Sequence, residues 1–200
     1  MATTAAPYGL RAVNHIGGTP YAGSTRLLPI ASGYGTNIFN GSVVSIVAAG
    51  TVELVTTIGS AASPFPAGTV GIFVGCSHTD PNTKQKLFAQ YWPSGTVASD
   101  AVAYVIDDPD VVFKAQADGT IAQAGLGANA PLANVQSTST GSTVNGNSNV
   151  ALDATVVQTA AAFRIVDFVN DPDNQVGDAY TEVLVKFNGT QHSYNNSTGI

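Results

Sequence analysis

Carboxylates, three imidazoles and one thiol are the groups with which this chain could do chemistry, and their spacing decides what kind. Asp107, Asp108 and Asp110, split by Pro109, form the densest acidic run. Calcium needs six to eight oxygens from a loop that wraps the ion, and a proline inside the run stiffens it against wrapping. The composition therefore predicts an acidic turn whose aspartates cap backbone N–H groups. Asp167, Asp171, Asp173 and Asp178 are spread more widely and read the same way, as a hairpin connection. His15, His78 and His192 fall in three different elements with no H-x-H or H-E-x-x-H spacing, so nothing local gathers them around zinc. Cys76 lies in an apolar stretch and reads as a small core residue rather than a nucleophile. A hydrolase built from Asp107, Asp108, Asp110 and His78 would need an acid/base pair held in a cleft, and no spacing here enforces one.

The remaining motifs are weaker. Gly125-Leu126-Gly127-Ala128-Asn129-Ala130 imitates a dinucleotide fingerprint, but Pro131 stands where a helix must begin, so no N-terminal amides would face a pyrophosphate. No G-x-S-x-G elbow and no phosphate-binding G-x-x-x-x-G-K-[ST] loop occurs. Asn40, Asn188, Asn195 and Asn196 fit the glycosylation pattern, which in an Asn/Thr-rich chain without a visible secretory signal is expected by chance. Tyr91-Trp92-Pro93 offers an aromatic platform for a glycan or, as the preferred reading, a core aromatic at the end of a hairpin. The expectation is no enzyme, no cofactor and no metal.

Composition points to protein contact instead. Charged residues are only 10% of the 200, so Ser, Thr, Asn, Gln and Gly take the places Lys and Glu usually hold. Neutral polar groups cost less to desolvate than ions, and interface cores are depleted of charge. The net charge of −6, with seven scattered Lys and Arg, excludes a nucleic-acid surface that works by counterion release. The longest apolar tract, Val43 to Ile58, is broken by Ser45, Gly50, Glu53 and several threonines, so no membrane span is expected.

The elements that must position these residues are strands. Residues 1–41 carry Gly, Pro, Ser or Thr every few positions, together with Tyr8, Leu10, Val13, Ile16, Tyr21, Leu27, Leu28 and Ile30. Such a segment breaks helical and strand periods but is too apolar for disorder, which predicts an extended arm laid on its own core or on a neighbouring subunit. From residue 42 to 187, β-branched runs recur about every ten residues with turn chemistry between them (TDPN, Pro93-Ser94-Gly95, Asp107–Asp110, Asp118-Gly119). This predicts a single all-β domain, a compact sandwich or small barrel. Gly71 and Gly75 inside one strand predict a bulge or a close backbone approach. Residues 119–149 read as an irregular excursion ending in a low-complexity polar loop over 136–149, and residues 188–200 as a polar tail that frays unless held.

Four stretches, TAAPYGLRAVNHIGGTPYAGSTRLLPIASGY, GTVGIFVGCSHTDPNTKQKLFAQYWPSGTV, AYVIDDPDVVFKAQADG and GDAYTEVLVKFN, resemble head decoration (capsid cement) proteins of tailed bacteriophages. The likeness covers most of the chain apart from residues 119–160. It implies a compact β-fold, often a small barrel of the β-tulip type, on the outer surface of the virion head, commonly as a homotrimer. It also implies an N-terminal arm that extends over the major capsid protein and adds strands to its sheets. On that reading the arm anchors are Tyr8, Leu10, Ile16, Tyr21, Leu27, Leu28 and Ile30, with Arg11 and Arg26 pairing with acidic groups of the shell. The alternative is a tail, fibre or adhesin module that holds glycans on Tyr91 and Trp92.

Overall fold

The computed structural model describes residues 4–200; residues 1–3 of the expected arm lie outside the described part. Eleven strands are present: β1 (Arg11–His15), β2 (Arg26–Pro29), β3 (Val43–Ile46), β4 (Val52–Leu54), β5 (Thr69–Thr79), β6 (Lys86–Ala89), β7 (Val102–Ile106), β8 (Val111–Gln116), β9 (Asn129–Ala130), β10 (Phe163–Phe168) and β11 (Glu182–Phe187). They form two antiparallel sheets. The first runs β1-β8-β11-β10-β9 and the second β2-β7-β5-β3-β4, with β6 paired to the far half of β5. The protein is thus all-β and consistent with a sandwich. No closed barrel is found among the described residues, which corrects that half of the sequence expectation.

Two cores explain the shape. One lies between the sheets, built from Phe113, Val183, Val185, Phe163 and Phe187 of the first sheet against Val43, Ile72 and Ile106 of the second. Strand β11 reaches it by clean alternation, Val183, Val185 and Phe187 pointing inward and Glu182, Leu184 and Lys186 less buried. The second core lies on the opposite face of the second sheet, where Val44, Val70, Phe73, Cys76, Ala103 and Val105 close around Trp92. The sheet curls to enclose it, bringing Ile30 beside Val52 through a single parallel bridge. One bridge is not a ladder, so the sheet stays open.

The long strand β5 serves both cores by alternation, Ile72 in the first and Phe73 in the second, and its register against β7 shifts between Phe73 and Gly75. Gly71 makes the close approach possible: a Cβ there would sit 1.9 Å from the Ile106 carbonyl oxygen. The strand-interior glycines therefore mark what they were expected to mark.

Two segments read as loose in the sequence are pinned by hydrogen bonds to the body of the fold. Buried Gln136 accepts from Val43 N (2.9 Å) and donates to the carbonyls of Val43 (3.1 Å) and Val55 (2.8 Å). Gly141 lies against the Phe39 ring, and Ser148 N donates to Asn40 O at 2.9 Å. The 136–149 loop is thus part of the wall. The tail is held as well: Ser193 N donates to Thr69 O (2.7 Å) and Tyr194 Oη to Asp107 (2.7 Å). Polar low-complexity sequence becomes ordered here because its hydrogen bonds go to fixed backbone rather than to water.

The arm joins the body at a backbone crossing. Gly9 N donates to Val150 O (3.2 Å), Leu10 N to Gly41 O (3.0 Å), and Gly41 N to Phe73 O (2.8 Å). Both glycines have positive φ (77° and 93°), and a Cβ on Gly9 would meet the Gly41 backbone at 2.7 Å. Gly9→Ala and Gly41→Ala should each cost about 2 kcal/mol or more, since strain in φ adds to a clash with unyielding backbone. Gly50→Ala, at φ 74° and with nothing within 4 Å of the added Cβ, isolates the φ contribution and should cost about 1 kcal/mol. Urea unfolding followed by the fluorescence of Trp92, the only tryptophan, separates the two cases.

Candidate functional site

The arm residues fall into three groups. Leu10 and Ile30 are buried, one in each core, and Leu28 packs against the second. Tyr8, Arg11, Tyr21 and Arg26 are engaged within the chain. Tyr8 Oη donates to Glu182 Oε1 (3.0 Å), and Tyr21 donates to the Ser24 carbonyl. The Arg11 guanidinium forks between Asn40 Oδ1 and Asn147 Oδ1, each at 2.7 Å, which ties the start of β1 to the 136–149 loop. Arg26 pairs with Asp107 and lies 5.6 Å from the Tyr194 ring centroid. Both arginines expected to meet acidic groups of a partner are thus occupied at home. Large apolar surface is presented by Val13 on β1, by Ile16 just after it, 52% exposed, and by Leu27 on β2, 59% exposed.

The arm also supplies both sheets with an edge. β1 is laddered to β8 and bridged on its outer side by Asn14–Pro20, while β2 is laddered only to β7. Of the two, β2 leaves outer carbonyls open to a further strand, although Pro29 supplies no N–H there and Ile30 beyond it is bridged to Val52.

Register then assembles a surface around Leu27. Leu27 sits opposite Tyr104 and Pro29 opposite Val102 on β7. Val102 is opposite Ser77 on β5, and Ser77 opposite Phe88 on β6. Paired residues share a face, so Leu27, Pro29, Val102, Tyr104 and Phe88 lie on one side of the second sheet. Tyr104 leans across β5, its Oη 3.2 Å from Ser77 Oγ, where Gly75 and Ser77 leave room. The same face packs on the first sheet farther along, at Ile72 and Ile106, and here it emerges uncovered. Phe88, 76% exposed, is its outermost point. Sequence reasoning missed Phe88, Tyr104 and Val102. The run Lys86-Leu87-Phe88-Ala89 has two adjacent apolar residues and so no parity, and only pairing with β5 says which one faces out.

The chemically suggestive residues do not converge. Asp107 is taken by Arg26 and Tyr194, Asp110 by Lys186 (2.6 Å), and Asp108 by the Asp110 amide (2.8 Å) and His15 (3.6 Å). The Lys186 ammonium holds the Asp110 carboxyl below the usual carboxylate range. The acidic turn is a fastener between arm, tail and β11. His78 stands edge-on to Trp92, and His192 edge-on to Phe187. Among the described residues no three His, Cys, Asp or Glu side chains are grouped as metal ligands. Burial pushes the Cys76 thiol up to about 12, far from a thiolate at neutral pH. Gly125 to Ala130 includes the turn before β9 and opens no α-helix. Trp92 is 0% exposed, with Nε1 donating to Tyr34 O at 3.2 Å, while Tyr91 stacks on Phe39 at 5.6 Å. The pair is a core element and not a surface platform, because closing the second core needs the indole.

Two phenols fasten the arm and the tail to carboxylates, and this sets an alkaline limit. Burial, and then Glu182, raises the Tyr8 hydroxyl; burial, and then Asp107, pushes Tyr194 up to about 12. A raised folded-state value means that the neutral phenol is the form the fold favours. Its contribution is complete below the unfolded value of about 10 and is lost as pH rises through the folded values. The urea midpoint should therefore decline above about pH 10. In the double variant Tyr8→Phe/Tyr194→Phe that decline should be shallower, from a lower starting midpoint.

No protein-family model, curated protein or solved structure matches this chain, so the functional reading rests on its own residues.

Proposed function

We propose that the protein is a non-enzymatic virion structural protein, a cement that binds the outer surface of a phage head and bridges major capsid subunits. The observation that carries this reading is the uncovered apolar face Leu27–Tyr104–Val102–Phe88, bordered by the open edge of β2. Singly scattered exposed apolar residues need no explanation, whereas a stripe aligned by register across four strands suits a protein contact. An unpaired edge beside it suits strand addition, in which backbone bonds supply affinity and neighbouring side chains supply specificity. Few uncompensated charges border the face: Lys86 is paired with Asp100 at 2.9 Å and Arg26 with Asp107. Desolvation on docking is correspondingly cheap.

The resemblance adds the partner and the place. A cement that binds the assembled shell and not its dissociated subunits stabilises the shell by mass action. Many copies, each bridging several subunits, add avidity to a modest interface. On this reading the protein works as a homo-oligomer, a trimer by analogy, made in the host cytoplasm and displayed on the head. The tail or adhesin reading relied on Tyr91 and Trp92 as a glycan platform, and burial of Trp92 leaves it without one.

Deleting residues 4–41 is not a clean test, since it removes Leu10 and Ile30 from the cores and should unfold the protein. Leu27→Asp and Phe88→Asp alter only exposed side chains. Each should leave the urea midpoint nearly unchanged and weaken attachment to purified shells by roughly tenfold or more. Quantitative mass spectrometry of purified particles should find copies near parity with the major capsid protein. Absence from the particle, or full attachment by both variants, overturns the proposal.

A further inference from the structure

Asparagine followed by glycine is the pair at which a side-chain amide is most open to attack by its own backbone, because no Cβ on the second residue shields the peptide nitrogen. The chain has three such pairs, Asn40-Gly41, Asn145-Gly146 and Asn188-Gly189. Their surroundings separate them. At the arm crossing Asn40 is 7% exposed, its carboxamide is held by Arg11 (2.7 Å) and by Val74 O (3.1 Å), and Gly41 N is held by Phe73 O (2.8 Å). Asn188 Nδ2 donates to Ala161 O (2.7 Å) and to Asn129 Oδ1 (3.1 Å), so its carboxamide ties the end of β11 to β9. In both pairs the nitrogen that would have to leave is pinned, and turning the carboxamide toward the next peptide breaks those bonds.

Asn145 stands at the exposed tip of a small hairpin, which Ser142 N closes by donating to Asn147 O (2.9 Å). Among the described residues nothing bonds its Nδ2. Its Oδ1 accepts from Asn147 N at 2.9 Å, an Asx turn that folds the carboxamide back over the Gly146 peptide. The turn sets Cγ on the side of Gly146 N, and the Asn147 N–H polarises the carbonyl and stays with its oxygen as charge builds there. Gly146 N donates to Ser142 O (2.7 Å), and that bond must open first. Thr143, Val144 and Asn145 are all exposed, so the opening is local. We infer that Asn145 is a site of spontaneous modification, an asparagine that closes to a succinimide and opens to aspartate and isoaspartate with water as the only co-reactant. Gly146 N gives its proton to hydroxide and bonds to Asn145 Cγ. The Cγ–Nδ2 bond breaks, the nitrogen takes a proton from water and leaves as ammonia, and a second water opens either C–N bond of the ring. Either product adds a negative charge to a chain of net charge −6, two residues from the Asn147 amide that holds Arg11. The site is independent of the capsid reading.

The full chain would be incubated in mildly alkaline buffer and digested at intervals. Mass spectrometry of the three Asn-Gly peptides then reads the gain of about 1 Da that accompanies replacement of NH2 by OH. Folded protein should convert Asn145 at least roughly tenfold faster than Asn40 or Asn188, since a tip opens more readily than a packed crossing. The rate should rise with pH, because the amide nitrogen attacks as its anion. In concentrated urea, where no fold selects, the three pairs should convert within roughly threefold of one another. Asn145→Gln keeps an exposed amide but needs a larger ring to close. It should remove the fast acidic shift while leaving the urea midpoint unchanged. Asn145 intact in folded protein while the unfolded chain converts, or Asn40 or Asn188 keeping pace with it, overturns the assignment. A fast acidic shift that persists in Asn145→Gln does so as well.

Discussion

Backbone lying directly on backbone at Gly9 and Gly41 is the contact on which the rest of this structure depends. No side chain fits between the two segments, so the hydrogen bonds of Leu10 to Gly41 and of Gly41 to Phe73 draw together the start of β1 and the middle of β5. One residue later Arg11 reaches Asn40 and Asn147. The crossing therefore ties the first sheet, the second sheet and the 136–149 loop at one point. Because β1 is held here, the chain can turn back on it, bridging Pro20 to Asn14, and then run on to lay β2 along β7.

Charge is used sparingly and mostly for fastening. With so few ionic side chains, several of them close the chain on itself: Arg26 and Tyr194 on Asp107, Lys186 on Asp110, Tyr8 on Glu182. Exposed pairs of this kind contribute little stability individually. Their effect is to fix where arm and tail lie, which in turn decides which apolar residues stay uncovered. Around Leu27 and Phe88 the nearby charges Arg26 and Lys86 are paired, which keeps the cost of desolvation by a partner small.

Much of the architecture was legible in local patterns. Alternation in β11, the turn chemistry at residues 107–110 and the interior glycines of β5 each carry their own explanation, because they depend on residues within a few positions of one another. The arm was legible as an extended apolar segment but not in its destination. Leu10 and Ile16 have similar side chains and similar Gly-rich surroundings, yet one is core and the other surface. The 136–149 loop was read as loose because Ser, Thr, Asn and Gly are the residues of flexible segments. Gln136 and Asn147 become structural only through partners about 90 to 140 positions away.

Residue chemistry along the chain settled that this is a β-protein, low in charge and without a spaced catalytic motif, since side-chain period and turn preference act over a few residues. Tertiary structure decided everything that depends on pairing between distant strands. Register with β5 turned Phe88 outward, and curling of the second sheet buried Trp92 with His78 edge-on against it. In a strand of period two, a shift of one residue exchanges inside for outside, and that shift is set by partners a single strand cannot see.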